Sequence, residues 1–202
     1  MRVSVVNLGV NNIKSVMGAL EHIGQAAHVA AEPRELEAIC LIPGIGNFGF
    51  VSEVMRKSGW MDAIRSHAQR GRPVIGICLG MQLLCRSSAE APDSAGLDLL
   101  PDAVLDLRSL PVGGERLPVT GWRKLESEVP AWNGLNMYFN HSYGIAADHP
   151  HCLASYRYGA ARIAAVVGRD NILGLQFHPE KSGLQGLKLL ENCIDHVSGE
   201  GV

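Results

Sequence analysis

The sequence predicts an α/β protein: a mostly parallel central sheet with helices on both faces, plus antiparallel hairpins in the second half. Short apolar runs alternate with helical patterns in the first half, and closely spaced β-type runs follow from about residue 97. An amphipathic helix then ends the pattern. Alternating strands and helices are typical of a parallel sheet whose crossover helices cover both faces.

Four short apolar runs in the first half predict strands at 3–6, 27–30, 39–42 and 74–77. Apolar residues at helical spacing predict helices at 13–23, 50–55 and 61–69, and a further helix after the fourth strand. Gly24 is expected to end the first helix, since glycine readily adopts the left-handed conformation found at helix ends.

The second half contains β-type runs at 103–107, 137–139, 153–158, 163–167 and 172–177, separated by Gly, Pro and Asp. Such spacing indicates hairpins. Apolar periodicity predicts a last helix at 184–197, and the polar stretch 89–96 is expected to form a surface loop. Because neither repeats nor linkers interrupt the chain, we expect one domain over 1–202.

Composition excludes several classes of protein. The chain has 202 residues, 47% hydrophobic and 19% charged, with a formal net charge of −2, as in an ordinary globular protein. It has no basic run for nucleic acid, no apolar run long enough to cross a membrane and no signal-peptide pattern. Five cysteines without a CxxC pair argue against a disulfide framework and favour a reducing, cytoplasmic compartment. No zinc-type spacing occurs, so neither a metal nor a cofactor is expected.

The most informative segment is Gly76-Ile77-Cys78-Leu79-Gly80, which has the pattern of a nucleophile on a sharp strand-to-helix turn. Such a turn presents the Cys78 thiol and places the Leu79 N–H where it can bind an oxyanion. The alternative is a buried structural cysteine, since free cysteine is among the most buried residue types. We assign that alternative to the remaining cysteines, which are Cys40, Cys85, Cys152 and Cys193.

A thiol nucleophile needs a base and a group that orients the base. His178 and Glu180 follow the strand predicted at 172–177, and residues two apart in an extended segment project to the same side. Glu180 can therefore hold one imidazole nitrogen while the other faces the thiol. His141 is a weaker candidate that we expect to line the pocket. The other histidines lack a carboxylate so placed, and they are His22, His28, His67, His149, His151 and His196.

These motifs closely resemble those of the class I, or triad, glutamine amidotransferases over nearly the whole chain. Within that class they are similar to the glutaminase subunits of imidazole glycerol phosphate synthases from histidine biosynthesis. The discriminating segments are 41–49, Gly121-Trp122, 138–143 and Lys181-Ser182-Gly183. The resemblance implies a flavodoxin-like fold and a reaction in which Cys78 attacks the glutamine side-chain amide and His178 protonates the departing ammonia. A glutamyl thioester is then hydrolysed to glutamate.

The resemblance also implies binding residues and a partner. A second oxyanion donor is expected from the Ile45 N–H after a peptide flip. The residues expected to hold glutamine are Gly46, Gln82, His141, Ser142 and Tyr143. The ammonia is expected to pass through a tunnel into a (β/α)₈ cyclase subunit of a heterodimer, whose interface takes Asn12, Trp122, Tyr138 and Lys181. Gln82 could instead be an exposed helix residue, Trp122 and Tyr138 core aromatics, and Lys181 a solvated charge.

Some residues depart from the family pattern on what the resemblance implies is the partner-facing side. They are the loop 7–12, Arg123 after Gly121-Trp122, and Gly144 after the 138–143 segment. Two hypotheses follow: a histidine-pathway subunit that has diverged with its partner, or a paralogue that supplies ammonia to another synthase, such as one amidating a surface sugar. Two further classes remain: a flavodoxin-like module without turnover, and a cysteine peptidase or hydrolase.

Overall fold

A computed structural model of the chain describes residues 1–9, 12–111 and 114–199. Its helices are α1 (Ile13–His22), α2 (Phe48–Lys57), α3 (Trp60–Gln69), α4 (Leu79–Leu84) and α5 (Gly183–Ser198). Its strands are β1 (Val3–Val6), β2 (Ala27–Ala30), β3 (Ile39–Gly44), β4 (Val74–Cys78), β5 (Cys85–Ser88), β6 (Leu100–Asp106), β7 (Val119–Lys124), β8 (Glu126–Ser127), β9 (Asn136–His141), β10 (Tyr143–Gly144), β11 (Cys152–Tyr158), β12 (Ala161–Arg169) and β13 (Ile172–Leu175).

One large sheet organises the described residues, with the strand order β2-β1-β3-β4-β13-β12-β11-β8. The first five of these strands pair in parallel, whereas β12, β11 and β8 continue the sheet in antiparallel pairs. The hydrophobic core lies on both faces of the sheet, with α1 and α5 on one face and α2, α3 and α4 on the other. The predicted fold class is confirmed.

The last strand in the chain, β13, determines where the site forms. Strand β13 returns from the antiparallel half and pairs in parallel with β4, with Leu175 opposite Ile77. Parallel neighbours end at the same edge of a sheet, where ligands of α/β proteins usually bind. The residues that follow β13 therefore lie beside Cys78, although about a hundred positions separate them in the chain.

Several details differ from the sequence prediction: β7, β8 and β10 were not predicted, and the strand predicted at 172–177 ends at Leu175. Helix α4 ends at Leu84, and the chain continues as β5, a strand that the apolar pattern did not reveal. The strand predicted at 103–107 begins earlier, at Leu100, and pairs in parallel with β5 and antiparallel with β10 instead of forming a hairpin. Strand β5 reads Cys-Arg-Ser-Ser, which is not an apolar run, so hydrophobicity alone does not reveal it.

None of the helices in the described ranges has the length and apolar character needed to cross a membrane.

Candidate active site

Cys78 lies at the turn between β4 and α4 in an unusual backbone conformation, with φ 54° and ψ −108°. A non-glycine residue at positive φ is strained and persists only where its surroundings hold it. Here the flanking glycines allow close packing: a Cβ on Gly80 would overlap the carbonyl of Ile42, and one on Gly76 would meet the backbone of Gly80. The predicted strand-to-helix turn is thus present, and its glycines are needed for tight backbone contact.

His178 and Glu180 lie together after β13, but Glu180 belongs to a 3₁₀ turn, Pro179–Lys181, and not to the extended segment that was expected. The His178 Nδ1 atom is 2.8 Å from Glu180 Oε1, and only 4% and 2% of the two side chains are exposed. The imidazole also has the Cys78 thiol as a hydrogen-bonding partner. The predicted base therefore has both the predicted nucleophile and the orienting carboxylate as partners, as expected of a catalytic triad.

The surroundings of His178 favour its protonated form. Burial alone would lower its pKa, but hydrogen bonds and charge interactions with Cys78 and Glu180 outweigh burial and raise the pKa above its ordinary value. Glu180 Oε2 is buried and has no hydrogen-bond partner among the residues that the structure describes. The arrangement suits a thiolate–imidazolium pair that is supported by a carboxylate.

A cavity of about 260 Å³ opens above the sulfur. It is smaller than the ~300–1,000 Å³ typical of sites for drug-sized ligands, and its size suits an amino acid. Residues of α4, β9 and β10 converge on it, together with residues that follow β3 and β13. The predicted site residues that line it are Ile45, Gly46, Cys78, Leu79, Gln82, His141, Ser142, Tyr143, His178 and Lys181.

Gln82 is a buried part of the site rather than an exposed helix residue, with an exposed fraction of 4%. Its Nε2 atom donates to the Tyr143 carbonyl at 2.8 Å. His141 Nδ1 lies 2.7 Å from the same carbonyl, and the Tyr156 hydroxyl lies 2.9 Å from His141 Nε2. Burial lowers the pKa of His141 to about 4, with the charge of His178 acting in the same direction. His141 is therefore a neutral member of the cavity wall, as expected, and not a second base.

The two segments expected to supply oxyanion donors flank the cavity. Leu79 is the first residue of α4 and is buried, whereas Ile45 and Gly46 are exposed at the end of β3. Gly46 has φ 114°, a conformation that favours glycine. Gly44 is needed for close packing, because a Cβ there would collide with Leu79 and Gly80.

Trp122 and Tyr138 stand opposite each other on β7 and β9, with their rings edge to face at 6.1 Å. Trp122 is 52% exposed, which excludes the core alternative for this residue, and Tyr138 is half-buried. Lys181 is exposed at the cavity, and the short turn that contains it contacts α1, which Asn12 precedes. Positions 10 and 11 of the divergent loop 7–12 lie outside the described residues.

Glu90 is a site residue that sequence reasoning missed. Its carboxylate lines the cavity, and its Oε2 accepts from the Phe48 N–H at 2.7 Å. The residue lies in the polar stretch 89–96, which looks like any surface loop. In the sequence, Glu90 follows Cys78 by one short helix and one short strand. This spacing does not distinguish Glu90 from the other residues of the loop.

Two interpretations of individual residues need correction. His28 and His149 do have carboxylate partners: His28 Nδ1 lies 3.9 Å from Glu37 Oε1, and His149 Nδ1 lies 3.4 Å from Asp102 Oδ1. Neither pair has the two-residue spacing used in the prediction. Gly144 is not on an outer surface: it is buried in β10, where a Cβ would crowd Ile163 and His141. Gly144 therefore does not belong to an exposed, partner-facing surface.

The potential metal ligands and the cysteines bear on the chemistry. Over residues 1–9, 12–111 and 114–199, no group of three or more His, Cys, Asp or Glu side chains could hold a metal ion. All five cysteines are free thiols. Cys40, Cys85 and Cys193 are buried, and burial raises the pKa of each thiol. Their environments fit the structural role expected for them.

Known proteins similar to this chain agree with the geometry. The family model for glutamine amidotransferase class-I matches residues 5–197. The imidazole glycerol phosphate synthase subunit HisH of Desulfitobacterium hafniense is 37% identical over 94% of this chain and 92% of that protein. The subunit of the same name from Geobacillus thermodenitrificans is 38% identical over 98% of this chain and 97% of that protein.

A solved glutamine amidotransferase has the same fold, with a TM-score of 0.77, 21% identity and 98% of each chain covered. PurLQS from Thermotoga maritima follows with a TM-score of 0.73, 21% identity, and 97% of this chain and 98% of that chain covered. The family match spans nearly the whole chain and includes the Cys78 turn and the His178 segment. The chain belongs to the class-I glutamine amidotransferases.

Proposed function

We propose that the chain is the glutaminase subunit of imidazole glycerol phosphate synthase and supplies ammonia for histidine biosynthesis in the cytoplasm. One observation carries the glutaminase activity: Cys78 and His178 contact each other at a cavity of amino-acid size, and Glu180 holds His178 from behind the cavity wall. The names of curated relatives that match nearly its full length support the pathway.

The reaction begins with the transfer of the Cys78 proton to His178, which leaves a thiolate beside an imidazolium. The sulfur attacks the side-chain carbonyl carbon of glutamine, and the C–N bond breaks as His178 gives its proton to the departing nitrogen. Ammonia leaves, and a glutamyl thioester remains on Cys78. His178 then takes a proton from water, the resulting hydroxide attacks the thioester, and glutamate is released. Glu180 orients the imidazole throughout.

The tetrahedral intermediates carry a negative oxygen that needs hydrogen-bond donors. We assign this role to the Leu79 N–H and, after a peptide flip, to the Ile45 N–H. The positive φ of Gly46 supports a flip at this loop, because glycine changes backbone conformation at little steric cost. Loss of a single donor of this kind typically costs about 10²–10³ in rate.

The remaining cavity residues bind the amino-acid part of glutamine. Gln82 and the backbone of Ser142 and Tyr143 form one wall of the cavity. The Glu90 carboxylate lies on the same cavity and is the natural partner for the α-ammonium group. No cofactor is required, since the thiol, the imidazole and water supply all the reacting groups.

The ammonia must reach a second active site before water protonates it. We place the (β/α)₈ cyclase subunit against the surface that carries Trp122, Tyr138 and Lys181, with Asn12 at its margin. The exposed Trp122 ring supports this placement, since tryptophan is enriched at the centres of protein interfaces. Lys181 lies both on this surface and at the cavity, where the product leaves.

The alternatives have less support. A paralogue that serves a different synthase is not favoured, because the relatives cited above share the name of the histidine-pathway subunit. An inactive binding module does not require an aligned triad. A peptidase needs an open cleft for a chain, whereas this cavity is small.

The direct test is glutamate release by the purified chain mixed with its cyclase subunit and that subunit's nucleotide ligand. Cys78→Ser should abolish release while the chain still folds. The matched control is Cys152→Ser, a change of the same kind at a half-buried thiol away from the cavity, and it should keep full activity. Full activity in Cys78→Ser contradicts the proposed chemistry. Activation by another synthase, but not by the cyclase, contradicts the pathway.

A further inference from the structure

Two buried glutamine side chains connect the cavity wall to the sulfur of Cys78. Gln82 Nε2 donates to the Tyr143 carbonyl at 2.8 Å and to Gln176 Oε1 at 3.2 Å. Gln176 Nε2 lies 3.9 Å from Cys78 Sγ. The strand register explains this position: Leu175 pairs with Ile77, so the residues that follow these two, Gln176 and Cys78, lie side by side.

The directions of both amides follow from their partners. A carbonyl oxygen can only accept, so the part of the Gln82 amide that faces Tyr143 must be its NH₂ group. That NH₂ group also faces Gln176, which must therefore present its oxygen to Gln82. The remaining NH₂ group of Gln176 is then directed at the sulfur. One carbonyl thus fixes the direction of two side chains, and the last of them donates toward the nucleophile.

The Tyr143 carbonyl, where this series of hydrogen bonds begins, is itself held in place. The His141 Nδ1–H donates to Tyr143 O at 2.7 Å, and the Tyr156 hydroxyl then donates to His141 Nε2 at 2.9 Å. Tyr156 and Gln176 are fully buried. A network of this kind in a low-dielectric interior is rigid when all its members are paired.

We propose that Gln176 positions Cys78 and stabilises its thiolate by donating an amide N–H to the sulfur. The N–H···S contact strengthens when the sulfur becomes negative, because hydrogen bonds to a charged acceptor are stronger than those to a neutral one. Gln176 also fixes the Gln82 amide, whose oxygen is left to accept an N–H of the substrate. The inference rests on the proposed function and assigns a further residue to the same site.

The test measures how the reaction of Cys78 with iodoacetamide depends on pH, in the full chain. Peptide mass spectrometry follows Cys78 separately from the other cysteines. Gln176→Met keeps the length of the side chain but removes its N–H, and it should raise the pH of half-maximal alkylation by roughly one unit. Gln176→Glu keeps the shape but presents an oxygen to the sulfur, and it should raise that pH further.

A matched control separates this effect from a general loss of stability. Ser52→Ala removes a buried hydroxyl that donates to the Ala95 carbonyl away from the site, and it should leave the pH of half-maximal alkylation unchanged. Each variant is also assayed for glutamate release with the cyclase subunit, where the Gln176 variants should lose kcat more than they raise KM.

The possible failures are distinct. If the wild-type chain releases no glutamate with its partner, the proposed function fails. If it does, and either Gln176 variant that folds alkylates at the wild-type pH, only the inference about Gln176 is overturned.

Discussion

The His178 backbone N–H donates to the Tyr138 backbone carbonyl at 2.9 Å, so the base of the site and an aromatic residue of the outer surface share a hydrogen bond. Ser182 joins the same two segments. Its hydroxyl donates to the His178 carbonyl at 2.6 Å and accepts from the Tyr138 N–H at 2.9 Å. These hydrogen bonds connect strand β9 to the turn after β13, so a displacement of one segment should displace the other.

Ser182→Ala should lower glutaminase activity more than a surface serine change does. It removes both hydrogen bonds of a buried hydroxyl, which should cost about 1–3 kcal/mol of stability, and it loosens the segment that carries His178. We expect roughly a tenfold loss of kcat, since small misplacements of catalytic groups are costly. Urea unfolding and glutamate release measure the two effects. Ser58→Ala, at an exposed serine at the end of α2, is the control and should change neither quantity much.

Trp122→Ala should weaken binding of the cyclase subunit by roughly tenfold to a hundredfold, while leaving the fold unchanged. The ring is mostly exposed and leans on Tyr138, so its removal opens no cavity in the core. Calorimetric titration with the cyclase subunit measures the affinity. Val29→Ala, an exposed apolar residue on the edge strand β2, provides the comparison. Equal affinity of Trp122→Ala and wild type would place the interface elsewhere.

The features predictable from the sequence were those with a local cause. The Cys78 turn depends on the glycines two positions before and after it. The His178–Glu180 pair depends on residues two positions apart, which a 3₁₀ turn at 179–181 brings together, and not the extended segment that was expected. Strands 3–6 and 27–30 have their predicted bounds, since each is a short run that the neighbouring residues do not extend. Each of these signals lies within a few residues of the feature that it predicts.

The features that could not be predicted depend on strand order. Glu90 enters the cavity because β5 leads the chain back along the site, and Gln176 meets Cys78 because β13 inserts beside β4. The sequence around Gln176 predicts a strand but does not indicate its neighbour. The pair of Asp102 and His149 is likewise a contact between distant segments. Hydrophobic periodicity describes one element at a time, so it contains no information on such contacts.

Gly80→Ala should destabilise the protein and disturb the Cys78 turn. The added Cβ would overlap the carbonyl of Ile42, a backbone group that has little freedom to move. Overpacking of this type costs about 1–3 kcal/mol or more. Gly18→Ala is the matched control, since nothing lies within 4 Å of a Cβ at that exposed position in α1. It should stabilise the helix by about 0.5–1 kcal/mol. Thermal unfolding of the two variants should therefore shift in opposite directions.

The pH dependence of stability should reveal the pairing of His178 with Glu180. Because the pKa of His178 is raised in the folded state, its stabilising effect is complete below the ordinary value of 6.5 and is lost as the pH rises through about 10. The free energy of unfolding of the wild type should exceed that of Glu180→Gln more at pH ~6 than at pH ~10. Glu21→Gln, at an exposed position on α1, should show no such trend. A constant difference between wild type and Glu180→Gln would contradict the pairing.

The titration of His141 should give the opposite pH dependence of stability, and only at acidic pH. Burial lowers its pKa to about 4, so below pH ~6.5 His141 binds a proton in the unfolded chain but not in the folded chain. The wild type should therefore lose up to about 1.4 kcal/mol of stability per pH unit from this residue as the pH falls toward 4. His141→Asn retains a donor toward the Tyr143 carbonyl but does not titrate, so its unfolding free energy should fall less steeply. Carboxylate titrations are common to both proteins and cancel in the comparison. Parallel curves in urea unfolding between pH ~6.5 and ~4 would mean that His141 is charged in the folded protein, and the Tyr156 hydroxyl could then not donate to it.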